Sequence, residues 1–210
     1  MRAKVFPPRT RPLFDTHVLR YIPYDLFSIG VFFSFMGLYI PFYYISSYAI
    51  EKNIADDNLG FYILTILNAG SVFGRVIPNF FADTIGPLNI STPFICFCAI
   101  ISFCWTSVEC LRSLILFCIF YGFFSGTFVS ISGPALATLS PDLSLMGTHL
   151  GMSFGFIAIG LLIGNPIAGM LLNNGWVAPS TFCGACNVLA AIFIWAARVV
   201  KVGWKWNIAA

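Results

Sequence analysis

Long apolar runs separated by short polar breaks make up most of this chain. Each run is about as long as the roughly 20 residues that an α-helix needs to cross the hydrocarbon core of a bilayer. The runs predict six spans, at residues 26–50, 60–81, 88–108, 111–139, 148–172 and 177–199. The pattern therefore predicts an all-α membrane protein, in which residues 25–200 form a six-helix transmembrane bundle.

The breaks between the spans contain residues that favour turns. Gly86-Pro87 precedes the third span, Ser140-Pro141-Asp142 precedes the fifth, and Asn173-Asn174-Gly175 precedes the sixth. The fourth run is long, and we expect its end near Gly133-Pro134 to kink or unwind, because proline removes a helical hydrogen bond.

Composition agrees with a membrane location. Of the 210 residues, 59% are hydrophobic and 9% are charged, whereas a soluble domain has roughly 25% charged residues. The few basic residues are too scattered for a phosphate-binding stripe, so a nucleic-acid partner is not expected. The lipid bilayer is the expected partner of this surface.

Positive charge is concentrated at the two ends of the chain. Eleven residues are Lys or Arg, and only Lys52, Arg75 and Arg112 lie between the ends. Because cytoplasmic segments carry an excess of Lys and Arg, both tails, residues 1–24 and 201–210, are predicted to be cytoplasmic. Asn89 begins a glycosylation acceptor pattern, but it falls on the predicted inner side and is expected to be unmodified.

Arg75 is the main candidate for a functional residue. It lies inside the second span, and a charge within hydrocarbon usually faces a cavity, a partner or a substrate. A guanidinium binds a carboxylate through two parallel hydrogen bonds, so an organic anion is a suitable ligand. Two alternatives stay open at this point: the side chain reaches the inner interface, or it pairs with Asp83.

Several further polar and aromatic residues have two interpretations each. Tyr39 and Tyr43 are four residues apart on one helical face and could line a cavity, whereas Tyr44 and Tyr48 could belong to the aromatic belt at the outer interface. His149 opens the fifth span and serves either as an interfacial residue or as a proton relay.

Small residues recur at intervals of four, which is the spacing that lets helix backbones approach closely. They either pack helices or, with Pro41 and Pro166, let helices bend during a transport cycle. The residues in question are Gly122 and Gly126, then Gly147, Gly151 and Gly155, then Gly160 and Gly164.

No metal, cofactor or enzyme active site is expected from the sequence. Cys183-x-x-Cys186 could be a metal or redox pair, but no second pair or histidine accompanies it, which favours simple helix packing. The two histidines, His17 and His149, have no acid or serine dyad inside a span, and Ser125 has no evident base.

Four stretches of the chain resemble fungal members of the monocarboxylate porter family of the major facilitator superfamily. They include NAGSVFGRVIPNFFADTIGPLN at 68–89 and YGFFSGTFVSI at 121–131, and the others lie at 13–50 and 140–169. The resemblance implies a fold of twelve helices in two halves, of which this chain matches the second. Residues 1–24 resemble the end of the cytoplasmic loop that joins the halves, which implies that the chain begins inside a longer ancestor.

The resemblance also implies roles for individual residues. The family's substrate-binding arginine falls on Arg75, and its acidic residue linked to proton coupling falls on Ser71, which leaves proton coupling in question. Its inner gating loop falls on residues 79–86, where Asp83 and Gly86 match the family pattern and two other positions, Asn79 and Thr84, do not.

These expectations favour a secondary transporter for a monocarboxylate-like organic anion or a secondary metabolite, in the plasma membrane. Alternating access needs two halves, so a second half or a homodimer is expected as a partner. The alternative is a half-transporter relic, or an incomplete gene model, without activity of its own.

Overall fold

The computed structural model describes residues 14, 15 and 17–203, except for the side chains of Asp57, Asp83 and Leu143. The predicted tails at 1–24 and 201–210 therefore lie largely outside the described residues. Within the described part no β-strand occurs, and six helical stretches are long and apolar enough to cross a membrane. They are Ile22–Glu51, Asn58–Ala82, Pro87–Ser107, Leu111–Leu139, Met146–Asn174 and Val177–Val202.

The predicted six-helix membrane bundle is confirmed, and two of its spans are each built from two helices. The helices of the described residues are α1 (Ile22–Leu38), α2 (Ile40–Glu51), α3 (Asp57–Val76), α4 (Asn79–Ile85), α5 (Pro87–Cys104), α6 (Leu111–Leu139), α7 (Met146–Leu171) and α8 (Val177–Val202). Thus α1 and α2 form the first span, and α3 and α4 form the second. Short 3-10 turns follow α5 and α7.

The helices pack around α1, which contacts both α7 and α8. On the other side of the bundle α5 packs between α6 and α8, and α3 packs against α6. The side at which α1 begins and α8 ends is called the tail side below. A buried hydrogen bond from Arg198 Nε to Asn89 Oδ1, 2.7 Å long, ties the end of α8 to the start of α5 there.

A proline divides the first span. Pro41 has no N–H to give to Gly37, which lies four residues earlier, and the chain turns at Tyr39 between α1 and α2. The thiol of Cys183 on α8 bonds to the Gly37 carbonyl at 3.2 Å. A neighbouring helix therefore satisfies the acceptor that proline leaves free, as a helix within a membrane requires.

A second proline divides the second span close to the candidate arginine. Pro78 leaves the carbonyl of Gly74 without its helical donor, and the hydroxyl of Thr127 on α6 bonds to that carbonyl at 2.7 Å. The side-chain amide of Asn79 bonds in turn to the carbonyl of Arg75. The break is thus held in place by α6 and by the first residue of α4.

The expected unwinding at Gly133-Pro134 is wrong. α6 is one continuous helix from Leu111 to Leu139, with Pro134 inside it. α7 likewise continues through Pro166.

Glycines bring α3 and α6 into backbone contact. A Cβ added at Gly74 would overlap the carbonyl oxygen of Phe123, and one added at Gly126 would overlap the carbonyl oxygen of Ser71. Gly122 meets α3 in the same way. Packing through small residues, expected for Gly122 and Gly126, is what the structure shows.

The glycines of the fifth span behave in two ways. Gly160 and Gly164 face the α1 backbone, where Gly164 would overlap the carbonyl of Met36 if it carried a Cβ. An added Cβ would meet no described atom within 4 Å at three others, Gly147, Gly151 and Gly155. The glycines in one half of α7 therefore pack on α1, whereas those in the half towards the tail side form an open stripe. That half contacts α1 through other residues, such as Ser153.

One aromatic assignment is wrong. Tyr48 is buried rather than part of an interfacial belt, because its hydroxyl bonds to the carbonyl of Val108 at 2.8 Å and its ring packs against Trp105 and Trp176. Tyr44 is half-buried, and its hydroxyl bonds to the carbonyl of Asn165 on α7.

Candidate functional site

Two spans are much less buried than the others. In the most apolar stretch of the second span 33% of residues are buried, and in the fifth span 22%, against 50–56% in the other four. Their exposed side chains are mostly large and apolar, such as Val72 and Phe73 on α3 and Leu162 and Met170 on α7. These two faces, the α3 face and the α7 face, are the ones that six helices leave uncovered.

Arg75 lies on the α3 face, one turn before the Pro78 break, and its side chain is exposed. It makes no ion pair within 4.0 Å with any carboxylate whose position the structure describes. The side chain of Asp83 falls outside the description, so the suggested pair with Asp83 stays an open alternative. A guanidinium in this setting presents its hydrogen-bond donors to the space beside the bundle.

The two predicted tyrosines are connected to this arginine through Tyr39. The phenol of Tyr39 interacts electrostatically with both Arg75 and Tyr43. Tyr39 is half-buried between Phe35 and Phe42, with ring centroids at 5.9 and 5.4 Å, and Tyr43 is 65% exposed. The packing of α2 against α3 therefore brings the phenol of Tyr39 and its aromatic neighbours to the side of the bundle that carries Arg75.

Ser71 occupies a different place from the other three predicted residues. It is buried in the interface between α3 and α6, against Gly126, and its hydroxyl has no hydrogen-bond partner among the described atoms. Although Ser71 is one turn from Arg75, it faces α6 whereas Arg75 faces outward. Its role in binding substrate stays a prediction.

The predicted gating loop begins with α4 and ends in a sharp turn. Gly86 follows α4 with φ at 94°, a conformation that residues with a Cβ rarely adopt, and α5 starts at the next residue. The sequence pattern at Gly86 therefore has a structural reason. The gating role of Asp83 and Gly86 stays a prediction.

Cys183 and Cys186 are both buried in packing contacts. Cys183 Sγ lies 3.2 Å from both the Gly37 carbonyl and the Ser102 hydroxyl. Among the described residues, no group of three or more His, Cys, Asp or Glu side chains is placed to hold a metal ion.

Sequence reasoning missed a polar cluster on the tail side. His149, which is 1% exposed, lies between Asp15 and Ser140, both of which belong to segments outside the spans. The predicted topology placed His149 and the chain before the first span on the same side, which was the one available signal. Asp15 is 134 residues away, so the pairing could not be predicted from spacing.

Comparison with known proteins gives a consistent set of relatives. No family model matches the sequence. The chain is 35% identical over 198 residues to the MFS-type transporter dbaD of Emericella nidulans, covering 92% of this chain and 45% of that protein. It is 33% identical over 204 residues to the agnestins efflux protein AgnL12 of Paecilomyces divaricatus, covering 96% of this chain and 47% of that protein.

A third relative, the aspyridones efflux protein apdF of Emericella nidulans, is 32% identical over 203 residues and is covered to 41% of its length. The chain thus spans about half the length of the curated relatives it matches.

Proposed function

Because the chain is a homologue of fungal MFS-type transporters, we propose that it forms one six-helix wall of a secondary transporter for organic anions. The observation that carries this proposal is the exposed Arg75 on a face whose other exposed side chains are mostly apolar. A charge on such a face is costly in a bilayer unless it meets water, a partner or a ligand. The transported anion is its ligand.

The substrate class follows from the groups beside Arg75. A guanidinium takes a carboxylate in a bidentate fashion. We propose that the phenol of Tyr39, which interacts with Arg75, and that of Tyr43 donate further hydrogen bonds. The aromatic rings around Tyr39 suit an apolar body attached to the anion. We propose a monocarboxylate or an acidic secondary metabolite. The names of two relatives, which are efflux proteins for agnestins and aspyridones, support the second class.

The transport path needs a second wall. Alternating access requires two bundles that rock around a central site. The α3 and α7 faces are the least buried parts of the structure, and the open stripe at Gly147, Gly151 and Gly155 allows another helix to approach closely. We propose that a second six-helix unit covers both faces, supplied either by a longer form of this chain or by a second copy.

Other finer assignments belong to the same proposal. Asp83 and Gly86 act in gating at the tail side, and Ser71 reaches substrate only when α3 and α6 part. Both tails face the cytoplasm of a plasma-membrane protein. The alternative, a relic without activity, is less favoured, because similarity to proteins named as transporters extends over nearly the whole chain.

The substrate role of Arg75 is tested by transport in proteoliposomes that contain the native assembly. Labelled benzoate and pyruvate serve as carboxylate probes. R75A should abolish uptake, and R75K should also transport poorly, because lysine cannot form the bidentate contact. R112A is the matched control, since Arg112 lies at the start of α6 away from this wall. Normal uptake by R75A, with normal insertion, would reject the proposal.

A further inference from the structure

A chain of hydrogen bonds on the tail side centres on the imidazole of His149. Its Nε2 lies 3.1 Å from Asp15 Oδ2, and its Nδ1 lies 2.5 Å from the hydroxyl of Ser140. Ser140 in turn lies 3.1 Å from the carbonyl oxygen of Asp142. The ring therefore joins the segment before α1 to the end of α6.

The same histidine is fixed to α1 through its backbone. Tyr24 on α1 donates its hydroxyl proton to the His149 carbonyl at 2.6 Å. Ser153 on α7 donates to the Tyr24 oxygen at 2.8 Å, and its own oxygen lies 2.9 Å from the hydroxyl of Ser28. With both its ring and its carbonyl engaged, His149 is held in one position and orientation.

Counting the protons in this cluster favours a charged ring. A doubly protonated imidazole donates from Nε2 to Asp15 and from Nδ1 to Ser140, which leaves the single Ser140 proton for the Asp142 carbonyl. A neutral ring that still donates to Asp15 must accept the Ser140 proton at Nδ1, and the Asp142 carbonyl then keeps only the backbone N–H of Leu145 as its donor. Only the protonated ring satisfies all three contacts together.

Several other charged groups lie around this cluster. The carboxylates of Asp15 and Asp142 both interact electrostatically with His149. Asp25 interacts electrostatically with the Tyr24 phenol, and His17 interacts electrostatically with Asp15. Among the described groups around this cluster, Asp15 and Asp142 are therefore the acids that interact with the ring, and the side chain of His17 is exposed.

The ionisation of Asp15 sets the lowest pH at which its contact with His149 is complete. Its hydrogen bond from His149, and then that from the backbone N–H of His17, hold the pKa of the Asp15 carboxyl below its ordinary value. A lowered pKa means that the contact is complete above the ordinary aspartate range, about pH 4, and is lost as the pH falls through the lowered value. At the upper end the contact weakens when the imidazole loses its proton, because a neutral ring no longer carries the positive charge that attracts the Asp15 carboxylate.

We propose that Asp15, His149 and Ser140 form a proton-binding site that fastens the described residues before α1, which are 14, 15 and 17–21, to the tail side of the bundle. Protonation strengthens the attachment, and loss of the proton loosens the segment next to the start of α1 and α7. The inference depends on the contacts of His149 and not on the identity of the substrate or on a second bundle.

The test is hydrogen exchange, followed by mass spectrometry, of the full chain in lipid nanodiscs at pH 6 and pH 8. The quantity compared is the protection factor of the amides at 17–21, which corrects for the intrinsic pH dependence of exchange. H149Q and D15N should each lower this factor at pH 6 by about tenfold, as expected for loss of a hydrogen bond to a charged group. Wild type should lose protection between pH 6 and pH 8, and H149Q should show no such dependence.

The matched control is H17Q, which changes the other histidine of the chain. His17 contacts Asp15 through its backbone N–H, so H17Q should behave like wild type. Exchange in α6 peptides reports whether a variant remains folded, and S140A provides a milder change if H149Q alters α6. The proposal is overturned if H149Q or D15N keeps wild-type protection and pH dependence, or if H17Q loses them equally.

Discussion

Replacing Gly74 with alanine should destabilise the bundle, because this position allows α3 and α6 to meet backbone to backbone. A Cβ at Gly74 overlaps the carbonyl oxygen of Phe123, which belongs to the main chain and cannot rotate away. The helices must separate, and overpacking of this kind costs about 1–3 kcal/mol. Separation also strains the bond from Thr127 to the Gly74 carbonyl, which adds about 0.5–1.5 kcal/mol. The expected total loss is about 1.5–4.5 kcal/mol.

The matched control is Gly151→Ala. Gly151 is also a glycine inside a spanning helix, but an added Cβ there meets no described atom within 4 Å. Both variants change helix propensity equally, so the difference between them isolates the contact with α6. Thermal unfolding of the detergent-purified chain, followed by circular dichroism, gives the comparison. Equal midpoints for G74A and wild type, or an equal loss in G151A, would refute close backbone packing at the α3–α6 interface.

Three further predictions concern other contacts. T127V should lower stability by about 1–2 kcal/mol, because it removes the donor to the carbonyl that Pro78 leaves free, whereas T138V loses only a bond within α6 and should change unfolding little. N89A should cost about 1.5–3 kcal/mol through loss of the buried bond from Arg198, with N68A on the exposed face as the control in the same unfolding assay. Cys110, whose pKa is lowered by a hydrogen bond from Ser113, should be the site of labelling by an impermeant maleimide added outside intact cells. Labelling of Cys110 that appears only after lysis would contradict the proposed orientation.

The six-helix architecture was predictable because it follows from the lengths of the apolar runs in the sequence. A span of about 20 apolar residues has few alternatives in a chain with 9% charged residues, and the turn residues mark its ends. The internal breaks are harder to predict. Pro41 and Pro78 interrupt helices where neighbouring helices bond the freed carbonyls, whereas Pro134 and Pro166 lie inside continuous helices. Proline therefore interrupts some helices and not others, because the contacts with neighbouring helices determine whether the helix breaks.

The candidate site was predictable in part. Arg75 was identified because a charge is rare within an apolar span, while its ligand and the gating residues stay predictions. Tyr48 was misplaced because its sequence position near a span end is equally compatible with a belt and with the core, and only packing against Trp105 and Trp176 distinguishes them. The partners of the His149 ring, Asp15 and Ser140, lie outside the spans, and the hydrophobic periodicity of the sequence does not predict the positions of such residues.

The small-residue stripes show the same limit. Spacing alone treats Gly122-x3-Gly126 and Gly147-x3-Gly151 alike, because both bring two glycines onto one helical face. In the six-helix bundle the first pair is closed against α3, and the second is open. The sequence therefore identifies surfaces suited to close approach, and the structure shows which of them still lacks a neighbour.

The central claim is that a second six-helix unit covers the α3 and α7 faces, and photo-crosslinking in native membranes tests it most directly. A photoreactive amino acid is placed at Gly151 on α7 or Val72 on α3, and at Ile192 on α8 as an exposed control. The proposed arrangement predicts crosslinks from 151 and 72 to a polypeptide segment of a second bundle, and crosslinks from 192 to lipid. Crosslinks from 151 and 72 to lipid alone would contradict it.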